Sequence, residues 1–215
     1  MKLFAEINED VQIVTEAKED GSKDYYIEGI FMQGGIKNRN GRVYPVETLA
    51  KETNRYVKEY VEKNRAYGEL GHPSGPTINL ERVSHMITSL KQDGGNIIGK
   101  AKIMETPMGT IVKSLMREGA TLGVSSRGMG TLKDKQGFQE VQSDFQLATA
   151  ADIVADPSAP EAFVEGIMEG VDWIFENGMW KAQQLEAAQK EINETSKQDL
   201  KMKKLQIFER FIKSL

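Results

Sequence analysis

The sequence predicts a mixed α/β (α+β) fold: a core over about residues 25–165, a polar segment over 1–24 before it, and a helical tail over 166–215 after it. Alternating or β-branched runs between turn sequences predict strands, and two stretches with apolar residues at helical spacing predict helices among them. At 215 residues and 39% hydrophobic, the chain can bury one sizeable core. From residue 180 onward the tail contains neither glycine nor proline, which favours a helix.

The predicted elements are separated by turn chemistry. Gly34-Gly35 and Asn40-Gly41 are turn sequences, and Asp93-Gly94-Gly95 joins two predicted strands. Glycines and prolines interrupt residues 68–76, which predicts a shaped loop, and residues 11–14 predict a short extended stretch. Strands are predicted at 25–31, 83–90, 96–104, 121–126, 130–133, 138–148 and 150–154, and helices at 46–64, 110–118, 167–176 and 180–215.

Composition excludes several kinds of site. The formal net charge of -4 and the pI of about 5.4 give no basic field for nucleic acid, and no run approaches the roughly 20 apolar residues of a membrane span. The chain has no cysteine, which removes disulfides, thiolate nucleophiles and thiolate metal sites together. The first ten residues turn acidic and lack the apolar stretch of a signal peptide. We expect a soluble, intracellular protein that binds neither nucleic acid nor membranes.

Histidine is scarce, which narrows the search for a general base. The chain has two, His72 in the segment 68–73 and His85 in a predicted strand. An imidazole takes protons near neutral pH, and a serine hydroxyl needs such a base to become a nucleophile. Ser125 and Ser126 stand between glycines, and on an extended segment only one of them can face a given partner. Asp152 or Asp156 can then supply the carboxylate that orients the base.

Each of these residues also has an ordinary structural explanation. Two serines between glycines are typical of a loop, a histidine beside Gly-Pro is more often structural, and His85 is interpreted as a strand residue. Arg127 occupies the last position of a G-x-S-x-G pattern, which argues against an α/β-hydrolase. The pair Glu69-x-x-His72 has the spacing of helical metal ligands, but the neighbouring glycines and Pro73 disfavour a helix. We therefore expect no metal and no cofactor.

Five segments carry a resemblance to a known family. In order they are YIEGIF (26–31), NRNGRVYP (38–45), GELGHP (68–73), GVSSRG (123–128) and DIVADPSAP (152–160). Together they resemble the prohead core scaffolding proteins and proteases of large contractile-tailed bacteriophages. These are serine peptidases related to herpesvirus assemblin, and they mature the phage capsid. The resemblance implies a mixed β-barrel of the assemblin type with surrounding helices.

The resemblance also implies the roles of the site residues. The nucleophile falls on Ser125 and the base on His72. The herpesvirus relatives place a second histidine after the nucleophile, whereas this chain has none after Ser125, so the third member is Asp152, with Asp156 as the second choice, or is missing. Backbone N–H groups around Ser126 to Gly128, with Arg127, are expected to hold the oxyanion.

Substrates and location follow from the same resemblance. The expected substrates are scaffold proteins, the capsid protein precursor and the protease itself, cut after glutamate with an aliphatic residue two positions earlier, inside the prohead in the host cytoplasm. Ile-x-Glu occurs six times, and Glu9 and Glu194 lie in polar terminal segments that favour self-cleavage. Glu105 is expected to lie inside the core and be protected.

The tail after about residue 178 has a separate expected role. Its apolar stripe with basic neighbours favours packing on scaffold partners or on another copy of the chain. A non-enzymatic prohead core protein with a vestigial serine–histidine pair is the alternative function, and a hydrolase of small esters is a distant third.

Overall fold

The computed structural model describes residues 1–8, 11–17, 23–73, 75–155, 172–176 and 179–183. The helices are α1 (Val46–Tyr56), which continues as a π-helical turn at Val57–Val61, and α2 (Pro107–Arg117). The strands are β1 (Lys2–Asn8), β2 (Val11–Ala17), β3 (Lys23–Gln33), β4 (Arg42–Val43), β5 (Tyr67–Glu69), β6 (Val83–Asp93), β7 (Asn96–Ile103), β8 (Gly123–Gly130), β9 (Leu132–Lys135), β10 (Phe138–Val141), β11 (Gln146–Val154), β12 (Asp172–Glu176) and β13 (Met179–Gln183).

The first large sheet has the strand order β2-β3-β7-β6-β5, with every neighbouring pair antiparallel. Its strands form because β-branched and apolar residues alternate with polar ones, so that one face of the sheet can be buried. In β7, for example, Ile97, Ala101 and Ile103 are buried, whereas Lys100 and Lys102 between them are partly exposed. The β6–β7 hairpin turns at Gly94, whose φ of 58° suits glycine.

The second large sheet has the order β11-β8-β1-β12-β13, again with antiparallel neighbours. Strand β8 lies between β1 and β11, and all eight of its residues are buried. Gly128 suits this position because a Cβ there would press into the ring of Phe145. A small third sheet has the order β4-β10-β9, and its strand β4 lies just before α1 in the chain.

Helix α2 begins where the sequence supplies a cap. The Thr106 hydroxyl accepts a hydrogen bond from the Gly109 N–H at 3.0 Å, and Pro107 occupies the first turn, where it loses no helical hydrogen bond. One continuous core joins both large sheets. It includes Ile27, Phe31 and Ile97 of the first sheet, Val124 and Ile153 of the second, and Leu49 and Tyr56 of α1.

The N-terminal segment is part of the two large sheets. The boundary expected near residue 25 falls inside β3, since β2 pairs with β3 and β1 pairs with β8. A second difference from expectation is β5, a short strand within residues expected to form a loop. Glu105 lies on the surface between β7 and α2 with its side chain 83% exposed, so the expectation that it lies inside the core is wrong.

Helices were predicted at 167–176 and 180–215, and both predictions are wrong at the residues of these ranges that the structure describes. Residues 172–176 and 179–183 are the paired strands β12 and β13. Trp173, Ile174, Phe175 and Trp180 are aromatic and β-branched residues with high strand propensity, and Asn177-Gly178 between them is the commonest sequence of a two-residue hairpin turn. The remainder of the predicted tail lies outside the described residues. Among the described helices, none is long and apolar enough to span a membrane.

Candidate active site

The register of β8 against its neighbours separates the two candidate serines. Asp152 of β11 lies directly opposite Ser125, and paired residues of an antiparallel ladder project to the same face. Arg127, two residues along β8, shares that face, whereas Ser126 is opposite Glu6 on the other. The strand therefore places Ser125, and not Ser126, on the face of Asp152.

Ser125 is fully buried beneath the N-terminal strand. Its Oγ donates a hydrogen bond to the main-chain carbonyl of Glu6 in β1 at 3.0 Å. A hydroxyl has one proton to donate, so in this state that proton is given to β1. Ser126 is also buried, in the same ladder.

His72 contacts the carboxylate opposite Ser125. Its Nδ1 lies 3.3 Å from Oδ2 of Asp152, and the two side chains are 6% and 0% exposed. An ionised carboxylate only accepts hydrogen bonds, so this contact assigns the ring proton to Nδ1 and makes Nε2 the basic nitrogen of the neutral imidazole. The structure thus brings His72 and Asp152 together across 80 residues of sequence.

Asp152 is held as an anion by several donors. Oδ1 accepts from the backbone N–H of Glu69 at 2.9 Å, and Oδ2 accepts from Nε of Arg127 at 3.0 Å. Burial alone would raise the pKa of Asp152, but the charge of Arg127, the contact with His72 and the Glu69 N–H together hold that pKa below its ordinary value. The residue is therefore ionised at neutral pH and suited to orient an imidazole.

Arg127 spans two buried carboxylates. Nε contacts Asp152, one terminal nitrogen lies 2.6 Å from Oε2 of Glu69, and the other donates to the carbonyl of Gly75. The side chain is 0% exposed. Three of the five guanidinium N–H groups are thus engaged by Asp152, by Glu69 and by the main-chain carbonyl of Gly75.

Glu69 is the site residue that sequence reasoning missed. Its Oε1 accepts from the Asn79 N–H at 2.9 Å while Oε2 binds Arg127, and its backbone N–H supports Asp152. Burial raises the pKa of Glu69, and the charge of Arg127 opposes that rise. The available signal was its spacing from His72, but that spacing was weighed only as a metal-ligand pattern.

The other histidine belongs to the core, as interpreted from the sequence. His85 lies in β6 with Nδ1 accepting from Ser84 Oγ at 2.8 Å and Nε2 donating to the carbonyl of Ala151 at 2.9 Å. Burial lowers the pKa of His85 to about 4, so it is neutral at physiological pH. Within the described ranges, no group of three or more acidic or histidine side chains is arranged to hold a metal ion. Asp156, Glu9 and Glu194 lie outside the described residues.

Comparison with known proteins gives a consistent result. A family model described as prohead core protein serine protease matches residues 5–172. The chain is 39% identical over 142 residues to the prohead core protein protease of Enterobacteria phage T4. The matched region covers 65% of this chain and 67% of that protein. The solved structure of the bacteriophage T4 capsid assembly protease matches with a TM-score of 0.67 and 32% identity, over 71% of this chain and 97% of that one.

These matches confirm the resemblance carried by the five sequence segments, and they agree with a mixed, mostly β fold that has few helices. The family match alone spans more than half of the chain, and it includes the strands that carry Ser125 and Asp152 and the segment that carries His72. The chain belongs to the family of prohead core protein serine proteases.

Proposed function

We propose that this peptidase is a serine endopeptidase with Ser125 as nucleophile, His72 as general base and Asp152 as the group that orients His72. The observation that carries the proposal is the position of Asp152, which pairs with Ser125 across the β8–β11 ladder and contacts His72 Nδ1. One buried carboxylate thereby connects the strand of the nucleophile with the base. No downstream histidine is needed for this arrangement.

The mechanism is acyl transfer to the serine. His72 Nε2 takes the Ser125 proton as Oγ bonds to the peptide carbonyl carbon, and the developing imidazolium is stabilised by Asp152. His72 then gives that proton to the departing amine as the C–N bond breaks. Water, deprotonated by the same imidazole, attacks the acyl ester and releases the carboxylate product and Ser125.

Backbone N–H groups of β8 around Ser126 and Gly128 hold the oxyanion in this proposal. In the described state the same stretch of β8 is paired with β1. A substrate strand that replaces β1 would bring its carbonyl beside those N–H groups. Arg127 acts through Asp152, because its guanidinium is engaged by the two buried carboxylates.

The substrates follow from the family resemblance. We place the activity inside the prohead in the host cytoplasm, on scaffold and major capsid precursor proteins and on the chain itself, with cleavage after glutamate in Ile/Leu-x-Glu. Self-cleavage is assigned to Glu9 and Glu194. An assemblin-type β-barrel, self-association within the prohead core and packing of the tail beyond β13 on partners complete this proposal.

A non-enzymatic prohead core protein with a vestigial site is the second candidate. One observation favours it: Ser125 is fully buried and gives its hydroxyl proton to Glu6. In the peptidase proposal the same observation describes a state that opens when β1 leaves β8.

Two matched variants test the peptidase proposal. Ser125→Ala is expected to lower kcat on an Ile-x-Glu peptide by about 10⁴-fold or more, because it removes the nucleophile. Ser126→Ala, on the opposite face of β8, is expected to lower kcat by less than about tenfold. A dead Ser126→Ala enzyme with an active Ser125→Ala enzyme would reverse the assignment, and a wild-type chain that cleaves nothing even in assembled proheads would favour the scaffold function.

A further inference from the structure

The carboxylate of Glu6 is held by three donors from one short segment. Its Oε2 accepts from Asn40 Nδ2 at 2.7 Å, and its Oε1 accepts from an Arg42 terminal nitrogen at 3.1 Å and from the Tyr44 hydroxyl at 3.0 Å. We call Asn40, Arg42 and Tyr44 the acid pocket. The Glu6 and Arg42 side chains are only 12% and 8% exposed, so the charge pair is largely removed from water.

Turn chemistry fixes the backbone that carries the acid pocket. Asn38 Oδ1 accepts from the backbone N–H groups of Asn40 and Arg42 at 3.1 and 2.9 Å, and Gly41 has a φ of 76° that suits glycine. The Tyr44 ring packs edge-on against Phe145 with centroids 5.2 Å apart. The segment 38–45 was a block of the family resemblance to which sequence analysis gave no role.

The main chain of Glu6 connects the acid pocket with Ser125. While its carboxylate is in the pocket, its main-chain carbonyl accepts the hydroxyl proton of Ser125 at 3.0 Å. Strand β1 lies extended and antiparallel beside β8, as a peptide does when it adds to the strand that carries a nucleophile. Asn40 Nδ2 also donates a hydrogen bond to the carbonyl of Ala5, one residue before Glu6.

We propose that the acid pocket is the specificity site of the enzyme: Asn40, Arg42 and Tyr44 select a glutamate side chain at the residue whose carbonyl Ser125 attacks, and Glu6 is its internal occupant. The inference rests on the proposed serine peptidase function and names the residues that choose its substrate. A peptide substrate then takes the place of β1 and of Glu6 in the pocket.

The donors of the pocket explain the selection. Arg42 supplies a positive charge, and Asn40 and Tyr44 supply neutral N–H and O–H donors, so the pocket satisfies a carboxylate. Burial, with the charge of Glu6, raises the pKa of Tyr44, so its hydroxyl stays protonated and donating. A glutamine in the same place would turn an NH₂ group towards at least one of these donors, and an aspartate would be one methylene too short to reach them.

A peptide pair tests the selection. Two peptides that differ only in Glu or Gln at the cleavage position are compared by kcat/KM. The wild-type chain is expected to prefer Glu by about 30-fold or more, the factor for losing a partner of a desolvated charge pair. Arg42→Met should remove most of that preference, and Tyr44→Phe should lower it by about tenfold.

Two control variants, together with the ratio of kcat/KM for the Glu and Gln peptides, separate an effect on substrate selection from an effect on folding. Arg117→Met and Tyr60→Phe change an arginine and a tyrosine away from Glu6 and should leave the Glu/Gln ratio unchanged. Glu6→Gln, which weakens the internal occupant, should raise kcat/KM on the added Glu peptide. If Arg42→Met lowers both peptides equally and keeps the ratio, Arg42 is structural and the pocket assignment is overturned.

Binding tests the pocket independently of catalysis. The full-length double variant Glu6→Ala, Ser125→Ala vacates the pocket and cannot cleave, and calorimetry measures its affinity for product peptides that end in Glu or carry Gln there. At least about 30-fold tighter binding of the Glu peptide supports the pocket even if the wild-type chain hydrolyses nothing, in which case only the peptidase proposal falls. Equal affinities, or binding of neither peptide, would overturn the pocket.

Discussion

At the scale of single residues, Arg127 lies between the carboxylates of Asp152 and Glu69, which are buried and would otherwise repel each other. Its guanidinium lies 3.0 Å from Asp152 and 2.6 Å from Glu69, and all three side chains are 0% exposed. A buried charge is tolerated when it is paired, and its removal leaves the partners uncompensated. The same arginine keeps Asp152 ionised, which connects stability with the orientation of His72.

Arg127→Met is therefore expected to destabilise the protein by about 3–5 kcal/mol, measured by urea unfolding at pH 7. The partly exposed pair Lys102–Asp24, at 2.7 Å, provides the control, since Lys102→Met should cost about 1 kcal/mol or less. An Arg127→Met protein as stable as the wild type would contradict the arrangement of the two carboxylates.

His85 makes the stability of the fold sensitive to acid. Its folded pKa is about 4 and its unfolded value about 6.5, so between these pH values the unfolded state takes up the proton first. The free energy of unfolding should fall by roughly 3 kcal/mol on this account as pH drops from about 6.5 to about 4. Equilibrium unfolding at several pH values measures the fall.

The matched variant is His85→Gln, which should be less stable at pH 7 but lose roughly 3 kcal/mol less over the same interval. Carboxylates that titrate below their ordinary pKa, such as Asp152, affect both proteins, so the difference isolates His85. Parallel pH profiles for the two proteins would show that His85 is not buried as a neutral ring.

Sequence analysis anticipated part of this residue-scale arrangement. Ser125 and Asp152 were expected in one site with His72, and the structure brings Asp152 into contact with His72 and opposite Ser125. Their roles as a catalytic triad stay a prediction. The roles of Glu69 and of the acid pocket were not identified from sequence. A side chain such as Glu69 is an ordinary surface residue until a partner 58 residues away, here Arg127, is folded against it.

At the scale of elements, the site depends on how closely β5 approaches β6 and β11. Gly68 makes this possible, since a Cβ there would lie far inside van der Waals contact of His85 Nε2 and the Ala151 carbonyl. The next residue, Glu69, donates its N–H to Asp152. The fit of β5 therefore sets the position of the carboxylate that orients His72.

Gly68→Ala is expected to cost about 3 kcal/mol or more, because the Ala151 carbonyl is backbone and cannot move aside without separating the strands. Thermal unfolding measures the loss. Gly94→Asn in the β6–β7 turn is the control: nothing lies within 4 Å of that position and asparagine tolerates its φ of 58°, so it should cost less than about 1 kcal/mol. Equal costs at the two positions would contradict the packing of β5.

Element prediction succeeded where one local signal dominated and failed where two competed. The strands β3, β6 and β7 and the helices α1 and α2 match their predicted positions within a few residues, since each has one clear periodicity. Strand β13 was predicted as helix because the chain after residue 178 contains neither glycine nor proline, and the turn sequence Asn177-Gly178 between β12 and β13 was not used. The pairing of β1 with β8 joins residues more than 100 positions apart, and no local pattern encodes it.

At the scale of the whole molecule, the N-terminal strand lies where the proposed mechanism places a substrate. Strand β1 completes the sheet beside β8 and buries Ser125, so access to the proposed nucleophile requires β1 to leave. Departure of β1 from β8 therefore decides between the two candidate functions: Ser125 becomes accessible in the peptidase proposal and stays buried in the non-enzymatic alternative. Removal of the N-terminal segment by cleavage would make that movement permanent.

Self-cleavage predicts defined fragments. Mass spectrometry of activated wild-type protein should show ends after Glu9 and Glu194, because both close an Ile-Asn-Glu sequence in a polar terminal segment. The Ser125→Ala chain, carried through the same activation, should keep its full mass. Intact termini in active wild-type protein would contradict self-processing at these two sites without affecting the site itself.

The position of the nucleophile is tested most directly by covalent labelling. Activated wild-type protein is treated with a fluorophosphonate, digested and mapped by mass spectrometry, beside His72→Ala carried through the same activation as the matched protein without the base. The adduct is expected on Ser125 and should be lost in His72→Ala, because the hydroxyl reacts only when its proton is taken by the imidazole. An adduct on Ser126, one that persists unchanged in His72→Ala, or none at all would contradict the assignment of Ser125 and His72 as the catalytic pair.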